Sequence, residues 1–576
     1  QQGSRGGKMK RLTAFSLLAA LLIACVIFPI AVAEDQPEGN MPIPFEKIQQ
    51  VLVDGVNFLY SKQFGDGTWL FSGNMYPVGT TSLVLYALSL AGINSKDAKF
   101  QKGLAGLDKA LASSSMDVLT TYELGLAIMA YEQIDRKKYE EQIVKLQNVL
   151  IERQAKSGGW DYTRPTYATV GKVSSQRTDW SNTQFGVLGL SHAERTEARG
   201  YVYQNRKPPE HWVRLRDYIV TTRTPEKGWP YCPTDANGMK YTSPTLTAAG
   251  IASSLLTYAA LNHTSKYKCG SDTELLDIID EGIGYYAATP DLVMQKVITA
   301  QKISYGLTYK MYAIERVGFY SGLRKIGSVD WFDQGAKLLI ECSKDQAKGG
   351  WDEVVGAAFA LMFLSKGRWP VVVQKLQWGD GWNDDALDML RLTEKASEVF
   401  ERVEQDKLFT SETVYMPTPR VGKNCTWATI TLDTPFERWL DVPLLYFNGH
   451  VFPDLDGDAK KNMQKYAFSG GVILAVSGCG SKKFDEGLRQ FCAEVFEGYP
   501  LMPVDRSHPL YASWYKAASA YAPLEAVIGP SGRPLLLYCA DGVSCDWESG
   551  HIDSKETKLG VSIIKYVTDM VPGIWK

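Results

Sequence analysis

A cysteine and a histidine stand at the carboxyl ends of two apolar runs in the C-terminal third of the chain. Cys479 follows the run GGVILAVSG at 470–478, and His450 closes the run VPLLYFNGH at 442–450. A thiolate is a strong nucleophile, and imidazole is the side chain that exchanges a proton most readily near neutral pH. Two roles are therefore open. Cys479 acts as a nucleophile with His450 as its base, or it packs within a loop that binds a ligand.

Glycines and polar residues also follow a neighbouring apolar run. The stretch GDGWN at 379–383 comes directly after the run 370–378. In an open parallel sheet, ligands bind outside the carboxyl ends of the strands, where loops from adjacent strands meet. The sequence therefore predicts a ligand site beside the candidate catalytic residues Cys479 and His450. Its predicted members are Asp380, Trp382, Asn383, Gly449 and Gly478.

The elements that position these residues are apolar runs that alternate with amphipathic helices. The runs lie at 370–378, 425–433, 442–450, 470–480 and 533–541, and the helices at 384–403, 459–468, 481–498 and 556–571. This alternation is typical of an α/β domain built on a doubly wound parallel sheet, here at 368–576. One helix joins the runs that carry His450 and Cys479, and such a crossover places its two strands as neighbours or next-neighbours. We therefore expect the two residues to lie close together.

A different pattern fills the chain from residue 45 to 367. Small residues followed by tryptophan recur in DGTWLF, SGGWDY, EKGWPY and KGGWDE, at 66–71, 157–162, 226–231 and 348–353. An amphipathic helical pattern precedes each stretch, and a pattern that is apolar on nearly every face follows it. A helix that is apolar all round is buried on all sides. Six such pairs predict an α/α toroid, with an inner ring of buried helices inside an outer ring.

The tryptophans of this pattern have a predicted packing role. Glycine ends the outer helix, and the indole packs across the turn onto the next hairpin. Gln63 and Gln154 each stand six residues before a tryptophan, where an amide satisfies unpaired groups at the helix end. Arg223 has that place in the fourth pair, and Gln346 stands one residue closer to its tryptophan in the sixth.

One polar cluster stands at the start of a predicted inner helix, in RTDWSNTQFGVLGL at 177–190. Its side chains either line the toroid cavity and bind an anion or a polyol, or they cap the helix. In the capping alternative, Asp179 or Ser181 is the N-cap residue and Gln184 closes a capping box. The predicted ligand-binding members of the cluster are Asp179, Trp180, Asn182 and Gln184.

The first 44 residues carry the features of a secretory leader. From Met9 onward, a basic pair, an apolar stretch and Ala-Val-Ala before Glu34 predict a signal peptide within 1–33, followed by a linker at 34–44. The alternatives are a retained membrane anchor and a lipid on Cys25. We expect an exported protein, periplasmic or extracellular, that contacts a membrane only if the leader is retained.

Charge and cysteine usage narrow the expected partners. The chain has 62 Lys and Arg against 64 Asp and Glu, interspersed and without a basic stripe, so nucleic acid is not an expected partner. No spacing of residues predicts a metal or a cofactor.

The nine cysteines are widely scattered. Cys539 and Cys545 flank a turn-like ADGVS, where a local disulfide is one option in an exported protein.

The Gln–Trp spacing resembles the repeat of squalene cyclases and the related hairpins of protein prenyltransferases, over residues 45–366. The resemblance implies the toroid fold. The Asp-x-Asp-Asp acid motif of a protonating squalene cyclase does not occur in 45–366. Asp179, Cys232 and His263 do not stand in the local contexts of the prenyltransferase zinc site.

The segment 370–576 resembles an uncharacterised C-terminal domain family of exported bacterial proteins, through WGDGW, PLLYFNGH, the CGS and FDEG stretches, SHPLY and CDWESG. That family looks akin to the flavodoxin-like and class I glutamine amidotransferase folds, which implies a flavodoxin-like α/β domain. The amidotransferase elbow is Gly-x-Cys-x-Gly, whereas Ser477 and Ser481 flank Cys479 here. A glutamate that orients His450 is not identifiable from the sequence.

The function expected from the sequence is binding of an unknown ligand or protein partner, without catalysis, through the toroid cavity and the strand-end loops. The alternative is an enzyme. Either the toroid acts on a polyisoprenoid or a glycan, or the α/β domain hydrolyses its substrate through Cys479 and His450. The missing acid motif in the toroid favours the first expectation.

Overall fold

The computed structural model describes most of the chain from residue 43 onward. The described residues are 43–71, 75–163, 167–170, 173–194, 209–233, 241–262, 273–290, 303, 305–343, 351, 353–367, 369–401, 425–515, 521–549 and 554–570. The predicted leader at 1–33, with Cys25, and nearly all of the predicted linker at 34–44 lie outside them. Residues from Phe45 onward form one compact unit.

Twelve helices and two short hairpins occupy the described residues between Phe45 and Lys366. The helices are α1 (Phe45–Ser61), α2 (Pro77–Leu90), α3 (Ala98–Ser113), α4 (Thr121–Asp135), α5 (Glu140–Arg153), α6 (Trp180–Glu194), α7 (Glu210–Thr221), α8 (Pro244–Leu261), α9 (Thr273–Ala288), α10 (Tyr305–Ser321), α11 (Trp331–Ser343) and α12 (Val354–Lys366). The hairpins are β1 (Tyr167–Val170) with β2 (Val173–Gln176), and β3 (Lys325–Ile326) with β4 (Val329–Asp330).

The even-numbered helices form a closed inner ring. Each packs against the next even-numbered helix, and α12 returns to pack against α2. Nearly every residue of α2, α6 and α12 is buried, as expected for helices that are apolar all round. The odd-numbered helices pack outside this ring and bury one face against it. The structure thus confirms the predicted helical toroid of six hairpins.

Three motif tryptophans join helices in the same way. Trp69, Trp160 and Trp229 are fully buried. Each indole N–H donates to a carbonyl ten residues earlier, in the last turn of the outer helix; the acceptors are Leu59 O (2.6 Å), Leu150 O (2.8 Å) and Ile219 O (3.2 Å). Each backbone N–H donates to a threonine hydroxyl of the following inner helix; the acceptors are Thr81 (3.0 Å), Thr183 (3.0 Å) and Thr247 (3.2 Å). These repeated bonds confirm the predicted packing role.

The residue six places before each of these tryptophans forms hydrogen bonds or an ion pair that connect successive outer helices. Gln63 Nε2 donates to Gly67 O (3.1 Å) and Lys99 O (2.9 Å), and Gln154 Nε2 donates to Gly158 O and His211 O (both 2.9 Å). Arg223 has this place in the fourth pair and forms an ion pair with Glu281 of α9 at 2.7 Å. Gln346 lies outside the described residues.

The rest of the described chain forms one seven-stranded sheet with helices on both faces. Its strands are β5 (Val371–Gln377), β6 (Thr426–Thr431), β7 (Leu444–Gly449), β8 (Val472–Ser477), β9 (Leu501–Pro503), β10 (Glu525–Ile528) and β11 (Pro534–Cys539). Its helices are α13 (Asp388–Glu401), α14 (Phe436–Trp439), α15 (Gly457–Phe468), α16 (Lys482–Val495), α17 (Val543–Ser549) and α18 (Lys555–Asp569). The strand order is β6-β5-β7-β8-β11-β10-β9.

The sheet is mixed, which corrects the prediction of an all-parallel sheet. β6, β5, β7, β8 and β11 are parallel, as predicted, but β10 and β9 add an antiparallel edge. The sequence pattern missed these two strands because they are only four and three residues long. In β7, Leu445 and Phe447 face α15 and α16, whereas Tyr446 faces α13 and α17, so alternate residues serve opposite faces.

We predict that the toroid folds without the sheet domain. The inner ring closes on itself. The described bonds across the boundary include Thr429 N–H to Gly322 O (2.8 Å), Arg391 to Ala259 O (2.6 Å) and the ion pair Arg324–Asp441 (3.6 Å). A fragment spanning residues 34–367 should be soluble and unfold in one cooperative thermal transition. A fragment that is molten by near-ultraviolet circular dichroism would contradict the predicted boundary between 367 and 368.

Candidate functional site

Cys479 sits on a sharp turn between a strand and a helix. β8 ends at Ser477, the residues Gly478–Gly480 form a single helical turn, and α16 begins at Lys482. Cys479 has φ 51° and ψ 24°, a left-handed conformation that costs a residue with a side chain about 1–2 kcal/mol. Such a strained strand-turn-helix elbow exposes a nucleophile at the edge of a sheet. The Cys479 side chain is exposed.

His450 follows the neighbouring strand and lies against this elbow. β7 and β8 are adjacent and parallel, with Gly449 opposite Ser477. A Cβ atom added to Gly478 would lie 2.9 Å from the carbonyl of Gly449, so the two loops touch through their backbones. The Cys479 thiol is one of the groups that raise the pKa of the His450 imidazole, so the two side chains are close enough to interact. The structure therefore confirms the prediction that Cys479 and His450 lie close together.

Asp384 completes the cluster, and the sequence analysis missed it. Its Oδ2 atom lies 2.7 Å from Nδ1 of His450, with both side chains partly exposed. Asp384 comes from the loop after β5, which is paired with β7. The strands β5, β7 and β8 are adjacent and parallel. One residue of the line Asp384–His450–Cys479 follows each of them, so all three lie at the carboxyl ends of these strands. The signal that would have found it is the acidic pair Asp384-Asp385, which follows the first predicted strand.

The surroundings of His450 raise the pKa of its imidazole. Burial alone lowers this pKa, but hydrogen bonds and charge interactions with Cys479 and Asp384 outweigh it. A histidine whose pKa is raised by folding adds stability that is complete below its unfolded pKa of about 6.5 and is lost as pH rises through the raised value. The imidazolium form of His450 therefore persists to higher pH than in an ordinary histidine.

We predict that Asp384→Asn lowers the pKa of His450, since the substitution removes the negative charge beside Nδ1. The expected change is a downward shift of the His450 titration midpoint. NMR titration of the full chain with labelled histidine measures it. His508 serves as an internal control, because its pKa is lowered by burial alone and should not change. Equal His450 midpoints in the parent and in Asp384→Asn would contradict the contact.

A buried polar network holds the loop that carries Asp384. Lys375 Nζ lies 2.8 Å from Asp388 Oδ1, and Tyr446 donates to Asp388 Oδ2 at 2.6 Å; all three side chains are fully buried. Burial raises the pKa of Asp388, although the charge of Lys375 acts in the opposite direction. Asn448 Nδ2 donates to Asp385 Oδ2 at 2.9 Å, which ties β7 to the residue after Asp384.

Glu548 of α17 is hydrogen-bonded to the same loop. Its Oε2 atom accepts the backbone N–H of Leu387, and its side chain is fully buried. Burial, together with the charges of Asp385 and Asp388, raises the pKa of Glu548 to about 8. The carboxyl group is therefore protonated at neutral pH, which makes it a neutral support for the loop.

The predicted ligand residues of this edge have different surroundings. Asp380 is exposed, and Asp384, four residues further on, is the carboxylate that reaches His450. The ring of Trp382 lies 5.7 Å from Lys375 Nζ, and Asn383 is partly buried in the same loop. Gly449 and Gly478 are positions of close backbone packing; a Cβ atom at Gly449 would lie 2.9 Å from the ring of Trp378.

The polar cluster of the toroid is mainly a helix cap. Asp179 Oδ1 accepts the backbone N–H of Asn182 at 2.8 Å, and Asp179 Oδ2 accepts its side-chain amide at 2.9 Å. The indole of Trp180 donates to the Thr222 hydroxyl at 3.0 Å. These contacts agree with the capping alternative, with Asp179 as the N-cap residue of α6. Gln184 does not close a capping box with Asp179 but accepts a bond from Tyr309 at 3.0 Å.

Gln184 faces an aromatic collar at the end of the inner ring where α4, α6 and α10 begin. The collar comprises Phe71, Tyr122, Tyr162, Tyr231, Tyr305 and Tyr309. Three of these rings stand two residues after a motif tryptophan; they are Phe71, Tyr162 and Tyr231. Ring contacts join Phe71 to Tyr305 (6.4 Å between centroids), Tyr305 to Tyr309 (5.6 Å) and Tyr122 to Tyr162 (5.8 Å). The Tyr162 and Tyr231 side chains are 40% and 44% exposed.

The cysteines considered for a local bridge do not face each other. Cys539 is buried in β11, and the Sγ atom of Cys545 lies 3.4 Å from that of Cys479. The bridge between Cys539 and Cys545 is thus not formed, because the start of α17 turns Cys545 toward the elbow.

Within the described part of the chain, no group of three or more histidines, cysteines and acidic residues is arranged to hold a metal ion. One described helix, α8, is long and apolar enough to cross a membrane, and it is mostly buried inside the toroid.

Comparison with known proteins gives two likenesses. A family model described as Domain of unknown function (DUF4159) matches residues 420–568. The helical part is similar to the type II terpene cyclase MstE from Scytonema in its apo form, with 12% identity, a TM-score of 0.36, and coverage of 56% of this chain and 99% of that chain. A variant of MstE in complex with geranylgeranyl dihydroxybenzoate gives 13% identity, a TM-score of 0.29, and coverage of 56% and 80%. A search of curated proteins found no match.

Proposed function

We propose that the C-terminal α/β domain is a thiol-dependent acyl-transfer enzyme that cleaves an amide or an ester. Cys479 is the nucleophile, His450 the general base and acid, and Asp384 the residue that orients the imidazole. The main support is the line Asp384–His450–Cys479, with 2.7 Å between Asp384 Oδ2 and His450 Nδ1 and with His450 and Cys479 following adjacent parallel strands.

The chemistry follows from the two ring nitrogens. Asp384 occupies Nδ1 and fixes the ring orientation, so Nε2 is the atom that takes the proton of the Cys479 thiol. The thiolate attacks the carbonyl carbon of the substrate, and the tetrahedral intermediate collapses to a thioester as His450 returns the proton to the leaving amine or alcohol. Water, activated by His450, then hydrolyses the thioester and restores the thiol.

The strand order supports a ligand site at this place. The five parallel strands lie across the sheet in the order β6-β5-β7-β8-β11. Numbered by their appearance in the chain, this is the order 2-1-3-4-5 of flavodoxin-like sheets. Ligands bind such sheets at the switch point between the first and third strands, here β5 and β7. Asp384 follows β5 and His450 follows β7. We therefore include a flavodoxin-like fold in the proposal, with Ser477 and Ser481 where the amidotransferase elbow has glycines.

The experiment that tests this function uses p-nitrophenyl acetate as an activated acyl donor. The full chain should release p-nitrophenol faster than buffer does, and Cys479→Ser should remove that excess. Cys492→Ser, a buried cysteine of α16 in the same domain, is the matched control and should retain it. Equal release by the parent and by Cys479→Ser would overturn the proposal.

A second function, binding of a glycan at the toroid mouth, is favoured by the aromatic collar. Exposed tyrosine rings offer flat apolar faces that stack on sugar rings, and their hydroxyls are hydrogen-bond partners. Below them, Ser181 and Tyr309 are hydrogen-bonded at 2.8 Å, and the buried Gln184 Nε2 is a donor without a partner among the described residues. These polar groups favour a polyol over a purely apolar chain.

Calorimetric titration of the full chain with maltohexaose and chitohexaose tests the collar. At least one oligosaccharide should bind, and Tyr231→Ala should weaken binding about tenfold, since one exposed stacking ring contributes on the order of 1 kcal/mol. Phe468→Ala removes an equally exposed ring, 45% against 44%, in the other domain and should bind like the parent. Binding of geranylgeraniol in place of both sugars would overturn the glycan assignment.

A further inference from the structure

Cys545 stands directly beside the proposed nucleophile. Its Sγ atom lies 3.4 Å from that of Cys479, and no disulfide joins them. Cys479 is exposed and Cys545 is partly exposed, so the pair is open to small molecules in solution. The mechanism proposed above uses only one of the two thiols.

The backbone holds the two thiols in this arrangement. Cys545 lies in the first turn of α17, which packs on the turn Gly478–Gly480. A Cβ atom added to Gly542 would lie 2.8 Å from Cys479 Cα, so the two chain segments are in van der Waals contact. A disulfide has a sulfur–sulfur distance of about 2.05 Å, so the sulfurs must approach by about 1.4 Å, which side-chain rotation supplies.

We propose that Cys479 and Cys545 form a reactive dithiol that is oxidised by low-molecular-weight disulfides of the glutathione type. Cys479 is the attacking thiol and Cys545 the resolving thiol. The product is a Cys479–Cys545 disulfide, which removes the nucleophile and makes acyl transfer dependent on the redox state. The inference rests on the proposed function only in taking Cys479 as the reactive thiol.

The reaction balances with the two thiols, the small disulfide and His450 as proton acceptor. His450 takes the Cys479 proton, and the thiolate attacks one sulfur of the small disulfide, which breaks its S–S bond and releases one thiol after protonation. Cys545 then loses its proton and attacks the Cys479 sulfur of the mixed disulfide, which releases the second thiol. The dithiol loses two electrons and two protons, and the small disulfide gains both.

The experiment treats the reduced full chain with oxidised glutathione, blocks remaining thiols with N-ethylmaleimide and maps the peptides by mass spectrometry. We expect a linked peptide pair containing Cys479 and Cys545, reversed by dithiothreitol. In Cys545→Ser the mixed disulfide of Cys479 with glutathione should persist about tenfold longer or more, because the intramolecular resolving thiol is absent. Cys232→Ser, which removes a partly exposed cysteine of the toroid, should behave like the parent.

The outcomes separate the two proposals. A mixed disulfide on Cys479 that is equally stable in the parent and in Cys545→Ser would overturn the resolving role and leave the acyl-transfer proposal standing. A Cys479–Cys545 disulfide in a protein that releases no excess p-nitrophenol would support the dithiol and overturn acyl transfer. A Cys479 that reacts with neither reagent until the protein is unfolded would overturn both.

Discussion

Replacing His450 by alanine is expected to slow the acylation of Cys479 by p-nitrophenyl acetate by about 10²–10⁴-fold at pH 7, the usual contribution of a positioned general base. The imidazole is bonded to Asp384 and interacts with Cys479, so its loss removes the proposed proton acceptor of the thiol. Stopped-flow release of p-nitrophenol in the first turnover measures the rate. The effect should shrink at alkaline pH, where an ordinary thiol ionises by itself.

The control for this experiment is His508→Ala. His508 is another partly buried histidine of the same domain, and it caps the short turn Pro509–Ala512, which follows the edge strand β9. Its removal should leave the acylation rate within about twofold of the parent, as expected for a residue without a role in the chemistry. Equal slowing by both substitutions would show a general structural effect and contradict the base role.

Trp160→Ala is expected to destabilise the toroid by about 3–5 kcal/mol, the usual cost of emptying the space of a buried tryptophan. The indole is fully buried, donates to Leu150 O at 2.8 Å and contacts Gly186, where an added Cβ atom would lie 2.9 Å from the ring. The loss therefore combines a cavity with an unpaired carbonyl. Chemical denaturation of the full chain, followed by circular dichroism at helical wavelengths, measures the change.

Trp382→Ala is the matched substitution for Trp160→Ala. It deletes the same side chain from a partly exposed loop of the other domain, where solvent fills the space. Its cost should stay below about 1.5 kcal/mol, because little apolar surface returns to water. If Trp160→Ala costs no more than Trp382→Ala, the repeated tryptophan does not join the hairpins as the structure indicates.

The toroid was predictable because its signals are local and repeated. Helices that are apolar on every face must be buried on all sides, as they are inside a ring. In the structure, α2 and α12 are in contact and close this ring. The tryptophan motif was informative for the same reason. One residue pattern recurs and makes the same bonds to the outer helix and to the inner threonine in three hairpins.

The site was only partly predictable because it depends on contacts between distant strands. Cys479 and His450 were found because one crossover joins their strands, and a crossover has few geometries. Asp384 was missed because its place beside His450 requires β5 to pair with β7, although β6 comes between them in the chain. The contact of Cys545 with Cys479 was missed for a similar reason, since the only bridge considered was the local one to Cys539.

The measurement that tests the acyl-transfer proposal most directly is the mass of the protein quenched in acid during turnover of p-nitrophenyl acetate. We expect one added acetyl group per chain, located by peptide mapping on Cys479 and absent in Cys479→Ser. Hydroxylamine should remove it, as expected for a thioester. An unmodified Cys479 throughout turnover, or acetyl groups found only on lysines, would contradict the assignment of Asp384, His450 and Cys479 as a catalytic triad.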